Sequence, residues 1–166
     1  MADKQEMRKK HLNYLFLNTS SKESPSWVRV TKSTDFAIVY NPETEVFDYI
    51  ADANPTTELT KYAPTIGQTQ KTIIGDAIYD YIAEMARRQQ TGLDAVTQAM
   101  IVRQQKDSSG KNLAESFDVL ITIDTDDFVA GTLTYSIAQR GDVTLGTASV
   151  TDGTPSFTAK AASTAE

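Results

Sequence analysis

The chain has no cysteine, and a single histidine stands among its 166 residues. Without thiols there can be no disulfide, no thiolate metal site and no cysteine nucleophile. His11 has no second histidine to share a zinc ion or a proton relay, so a solvated side chain is its ordinary reading. Phosphate-cradling and nucleophile-elbow patterns are missing as well. No G-x-x-x-x-G-K-[ST], G-x-G-x-x-G or G-x-S-x-G occurs, and Gly146 and Gly153 stand alone. Asp124, Asp126 and Asp127 cluster as D-T-D-D but lack the glycine and distal glutamate of a calcium loop. Tyr79 and Tyr81 read as packing residues, and Arg87-Arg88 as charges at a helix end. No catalytic, cofactor or metal site is expected, and the chain does not read as an enzyme.

Long apolar runs are also lacking. None approaches the roughly 20 residues needed to cross a bilayer, and Leu12 to Leu17 is too short for a signal-peptide core. The expectation is synthesis and assembly in the cytosol, without membrane insertion. Positive charge is in deficit: 16 Lys and Arg face 22 Asp and Glu, for a net charge of −6. Nucleic-acid binding needs clustered cations, so this balance argues against it. It suits a surface that nucleic acid passes without sticking.

What is present is ordinary for one soluble domain: 40% apolar and 23% charged residues. Residues 1–11 are polar and read as a mobile arm. Apolar residues then recur with the period of two that marks strands, over Leu12 to Leu17, Trp27 to Lys32 and Phe36 to Tyr40. Asn41-Pro42 breaks the pattern. Residues 43–65 form a long polar excursion, hairpin-like, with Val46 to Ile50 able to make a strand; such length within a compact domain is usually functional. Ile66 to Ile74 is another strand candidate.

Asp76 can cap a helix whose apolar stripe is Ile78, Ile82, Met85 and Ala86, with Gly92 as its left-handed stop. Alternation resumes at Val96 to Gln105, Ser116 to Asp124, Leu133 to Ile137 and Val143 to Val150. Arg140-Gly141-Asp142 reads as a turn between the last two. From Thr151 to Glu166 the chain reads as a mobile tail. The sum is a mainly β domain over residues 12–150. It is an antiparallel β-sandwich or partly closed barrel with one flanking α-helix.

The order of these pieces is informative: Leu12-Asn13-Tyr14-Leu15-Phe16-Leu17, the Trp27-to-Val30 strand, Tyr40-Asn41-Pro42-Glu43-Thr44-Glu45, Ala63-Pro64, then Gly75-Asp76-Ala77-Ile78-Tyr79-Asp80. Over Leu12 to Val150 the chain resembles the major tail tube proteins of long-tailed, siphovirus-type bacteriophages that infect Gram-positive bacteria. N-P-E-T-E followed by G-D-x-x-x-D is the most specific portion. The resemblance implies a tail tube fold, with hexameric rings stacked into a hollow conduit for DNA delivery in the virion. It also implies partners: further copies of the chain, and tape measure, tail terminator and distal tail proteins.

On this reading Glu45, Asp48, Asp52, Asn54, Glu58 and Lys61 of the excursion are candidates for contact between rings. Gln68, Gln70, Asp118 and Asp124 are candidates for lining the lumen, which should be hydrophilic and net negative. The alternative is a non-catalytic β-sandwich that recognises carbohydrate or protein, with Trp27, Tyr40, Phe47 and Tyr49 lining a sugar site.

Overall fold

The computed structural model describes residues 5–161. It is mainly β with one α-helix, as the alternating patterns predict, and its main sheet is not closed. The strands are β1 (Tyr14–Asn18), β2 (Trp27–Arg29), β3 (Ile38–Val39), β4 (Pro42–Phe47), β5 (Thr56–Tyr62), β6 (Thr65–Lys71), β7 (Val96–Lys106), β8 (Asn112–Asp127), β9 (Thr132–Thr151) and β10 (Thr154–Ala159). The helix α1 (Ala77–Arg88) lies between β6 and β7. The main sheet runs β2-β1-β7-β8-β9-β6-β3, all antiparallel, and β10 adds to β9; β4 and β5 form a separate two-stranded ribbon.

Strand period explains why this sheet has two cores. Neighbouring side chains on a strand point to opposite faces. On β1, Leu15 and Leu17 join Ala99, Ile101, Phe117, Val119, Ile121 and Ile137 on one face, where Ile78, Ile82 and Met85 of α1 close over them. Phe16, between those two leucines, points the other way and packs with Met100, Val102, Ala114 and Ala148, with Trp27, Val150 and Phe157 around them. The run Leu15-Phe16-Leu17 is buried throughout because both faces of β1 are covered.

The helix begins as its cap predicts. Asp76 Oδ2 accepts the Tyr79 amide at 3.0 Å, and Ile78, Ile82 and Met85 are its buried stripe. The predicted stop differs. The left-handed residue is Gln89, at φ 50° and ψ 46°, and Gly92 instead opens a short 3-10 turn over Gly92–Ala95. The Gln89 and Gln90 amides return to the carbonyls of Ala86 and Met85, so the last helical carbonyls are satisfied without glycine.

Three further stretches differ from the sequence reading. Arg140-Gly141-Asp142 is no turn between strands. Pairing with β8 continues on both sides, from Asp118 opposite Arg140 to Ser116 opposite Thr144. The surplus residues of β9 are taken up in a bulge with Gly141 at φ 78°. Pro42 does not end a strand but starts β4, the position in a strand where a missing N–H costs least.

Thr154–Ala159, within the stretch expected to be a mobile tail, pair with β9 as β10. Pro155 is buried and Phe157 packs on the second core, so this short run carries enough apolar bulk to dock. In the expected N-terminal arm, residues 1–4 lie outside the described set. The remainder is tied where Lys9 N donates to Gln104 Oε1 at 2.6 Å and Arg29 Nη2 to the His11 carbonyl at 3.1 Å.

Candidate functional site

Three surfaces stand out. The first is the sheet face opposite α1. There the outward side chains of β6, β8 and β9 meet in rows: Gly67, Ser136 and Thr122; Thr69, Thr134 and Thr125; Thr65, Ala138 and Leu120. They are half-buried by one another or exposed, and no described element covers them. β-branched threonines suit a pleated surface, and their hydroxyls leave it wettable.

Asp118 and Asp124, two of the predicted lumen residues, belong to this face. Asp118 meets Lys22 at 3.3 Å. Asp124 is the extra residue of a β8 bulge and accepts the Thr125 hydroxyl at 3.1 Å. Lys71 and Arg140 are exposed on the same side, so the face carries both signs rather than a uniform negative charge.

Gln68 and Gln70 do not belong there. Alternation along β6 turns them inward, at 1% and 0% exposure. Gln68 Nε2 donates to the Asp35 carbonyl at 3.1 Å, and Gln70 Nε2 to Asp76 Oδ2 at 3.1 Å. The face of β6 that is free for solvent or a lumen is the other one, Gly67 and Thr69. Tyr135 shares the inward cluster; burial, with the Asp76 carboxylate adding to it, pushes its hydroxyl above the ordinary tyrosine range.

The second surface is the β4–β5 ribbon. All six predicted inter-ring residues, Glu45, Asp48, Asp52, Asn54, Glu58 and Lys61, lie on it or its turn, and all are exposed. It leaves the body at Asn41, which takes φ 46° and donates from its amide to the Ala63 carbonyl at 2.9 Å. A lone two-stranded ribbon is marginal in water. This one places Glu45 opposite Glu58 and leaves Val46, Tyr49, Ile50 and Leu59 exposed.

The third surface is an apolar groove of about 540 Å³, floored by Ile38, Ile66, Ile101, Phe117 and Ile137 and rimmed by Tyr40, Tyr62, Val143 and Leu145. It exists because α1 covers only part of the first core. Next to it lies a cavity of about 490 Å³ with Arg8, Lys10 and Arg103 on its wall. Arg103 is committed to Glu115, at 2.7 and 3.1 Å, and that carboxylate holds the guanidinium's pKa above its ordinary value.

The aromatic residues of the sugar-site alternative do not converge. Trp27 packs on the second core, Phe47 stacks on Tyr49 at 5.7 Å, and Tyr40 meets Tyr62 edge-on at 6.1 Å. Among the described residues no group of three or more His, Asp or Glu side chains is placed to hold a metal ion. No described helix is long and apolar enough to cross a membrane.

Among solved structures, a chain of the anti-feeding prophage cap, the cap that terminates that particle's tube, superposes with a TM-score of 0.53. The alignment spans 89% of this chain and 95% of that one at 15% identity. The fold is shared. A chain of the anti-feeding prophage baseplate also aligns, at a TM-score of 0.45 and 7% identity over 87% of this chain and 97% of that one. No family model and no curated protein sequence matches the chain.

Sequence reasoning missed the groove and the threonine face. Thr65, Thr69, Thr122, Thr134 and Ser136 alternate with buried residues, so the signal existed. The groove has no such local signal, because its lining comes from strands distant in sequence.

Proposed function

We propose that this chain is a structural subunit of a phage-type tail: a tube protein, assembling as stacked hexameric rings around a conduit for DNA. The observation that carries the reading is the uncovered, hydroxyl-rich face of β6, β8 and β9. An isolated sheet normally covers one face and leaves the other charged. A face rich in threonine, with charges of both signs, neither apolar enough to demand a cover nor cationic enough to hold phosphate, suits the wall of a channel that a polyanion traverses. The fold likeness to a cap that ends a tube supports a tail-like particle. The exposed β4–β5 ribbon suits a segment that gains its order by lying on a neighbour.

On this reading the partners are further copies and the tape measure, tail terminator and distal tail proteins of the same particle. The work of the chain is geometric: it closes rings, stacks them and presents a wet wall. A second reading, favoured by the cap likeness, is a terminal ring that ends a tube instead of extending it.

Negative-stain microscopy of the purified chain across a concentration series separates the two. Long hollow tubes support the tube subunit, isolated rings support the terminal ring, and a monomer at every concentration refutes both. Deleting residues 45–61 should leave a folded body that no longer stacks.

A further inference from the structure

The molecule has two apolar poles that cannot meet within one subunit. At the first, the turn between β8 and β9 presents Phe128 and Val129 at 89% and 99% exposure. Ile74, 91% exposed, lies two residues beyond Thr72, whose N donates to the Gly131 carbonyl at 3.1 Å and ties that loop to the turn. Carboxylates flank this knob: Asp124 is exposed, and Asp126 has a buried Oδ1 with no protein partner. At the second pole lies the groove of about 540 Å³, with Val143 and Leu145 on its rim. The basic wall of Arg8 and Lys10 adjoins it through the shared residues Ile38, Tyr40 and Ile101.

The knob is apolar with acidic flanks, and the groove is apolar with a basic flank. Eleven positions separate Phe117 in the groove floor from Phe128 in the knob, about 35 Å of extended chain. A subunit therefore cannot fill its own groove. A two-fold dimer that paired each knob with the other copy's groove would close at two copies, which the stacking of a tube excludes. Complementary surfaces at opposite ends of one molecule make a head-to-tail contact, which propagates.

We infer that the Phe128–Val129 turn of one copy seats in the Val143–Leu145 groove of the next, with Asp126, on the groove's own side of the sheet, facing Arg8 and Lys10. This deepens the tube reading and rests on it, because it names the contact between successive rings. It also assigns a purpose to two exposed apolar side chains that a turn residue of any polar type could replace.

The test uses two variants of the full chain. Phe128→Ser with Val129→Ser removes the knob; Leu145→Glu places a carboxylate in the groove against the acidic flank. All three positions are more than half exposed, at 89%, 99% and 58%, so thermal unfolding should match the parent. Each variant alone should form rings but raise the concentration needed for stacking by ~100-fold or more, the loss expected from two exposed apolar side chains that stay wet.

Mixed in equal amounts they should give particles two rings long and no longer, because one intact knob and one intact groove remain between them. Full-length tubes from the knob variant would overturn the inference and leave the tube reading standing. A mixture that stays as single rings would also overturn it. A parent chain that never stacks removes the tube reading and this contact with it.

Discussion

Replacing Gly146 by alanine tests whether β10 belongs to the folded body. Gly146 is not one of the positive-φ glycines, so its backbone is open to any residue. The constraint is space. A Cβ there would be driven into the Thr158 carbonyl oxygen and would lie 2.9 Å from the Phe157 ring and 3.0 Å from the Ala159 Cα. Gly146 sits directly opposite Ala159, and the Lys160 amide donates to the Leu145 carbonyl at 2.8 Å, so β10 lies tightly against this point.

Two responses are open. β10 can shift while staying paired, at the usual overpacking cost of about 1–3 kcal/mol. Or it can peel away, which caps the loss at the burial of Pro155 and the half-buried Phe157, about 2–4 kcal/mol. Either way we expect a loss near 2 kcal/mol, or about 4–8 °C in Tm for a chain of this size. Hydrogen exchange should localise the change to 146–160 and leave β7 and α1 protected.

Truncation after Gly153 supplies the control: in the shortened chain Gly146→Ala should cost almost nothing, because the clashing atoms are gone. Equal costs in the full and truncated chains, or unchanged protection over 154–159, would refute the docking of β10.

Asp76→Ala should cost about 2–3 kcal/mol, since it removes both the α1 cap and the partner of the buried Gln70 amide. Asp76→Asn should recover about half in urea titrations. Arg103→Met leaves Glu115 unpaired at 21% side-chain exposure and should cost about 1–3 kcal/mol. Adding Glu115→Leu should return most of that, and a double-mutant cycle reads the coupling.

The Asp107 carboxyl is held below the usual range by the Ser109 hydroxyl first, then by the Lys111 amide. An acid whose pKa falls on folding stabilises above its unfolded pKa and loses that contribution as pH drops through the folded one. The advantage of the parent over Asp107→Asn should therefore be present at neutral pH and shrink on acidification below the ordinary carboxylate range, read as converging urea midpoints.

Local patterning made much of the fold legible. The period of two over Leu15 to Leu17 and Phe117 to Ile121 placed strands, and Asp76 with Ile78, Ile82 and Met85 placed the helix and its buried side. Errors fell where one signal serves two structures. A positive-φ glycine marks a bulge as well as a turn, and Gly141 is a bulge. Glutamine on a strand reads as a solvent residue, yet Gln68 and Gln70 face inward because β6 alternates in step with Ile66. Phe157 looked isolated among small residues, and only its neighbours Phe16 and Ala148, distant in sequence, make it part of a core.

By itself, the sequence determined the absence of thiol chemistry, the strand-rich pattern, the capped helix and the exposed polar excursion. Those follow from residue identity and spacing, which act over one or two turns of chain. Tertiary structure decided which face of the sheet stays uncovered, where the groove opens and that it lies at the far end of β8 from Phe128. Each of these depends on strands that pair across long separations and on how far a twelve-residue helix can reach over the sheet, and no local spacing encodes that reach.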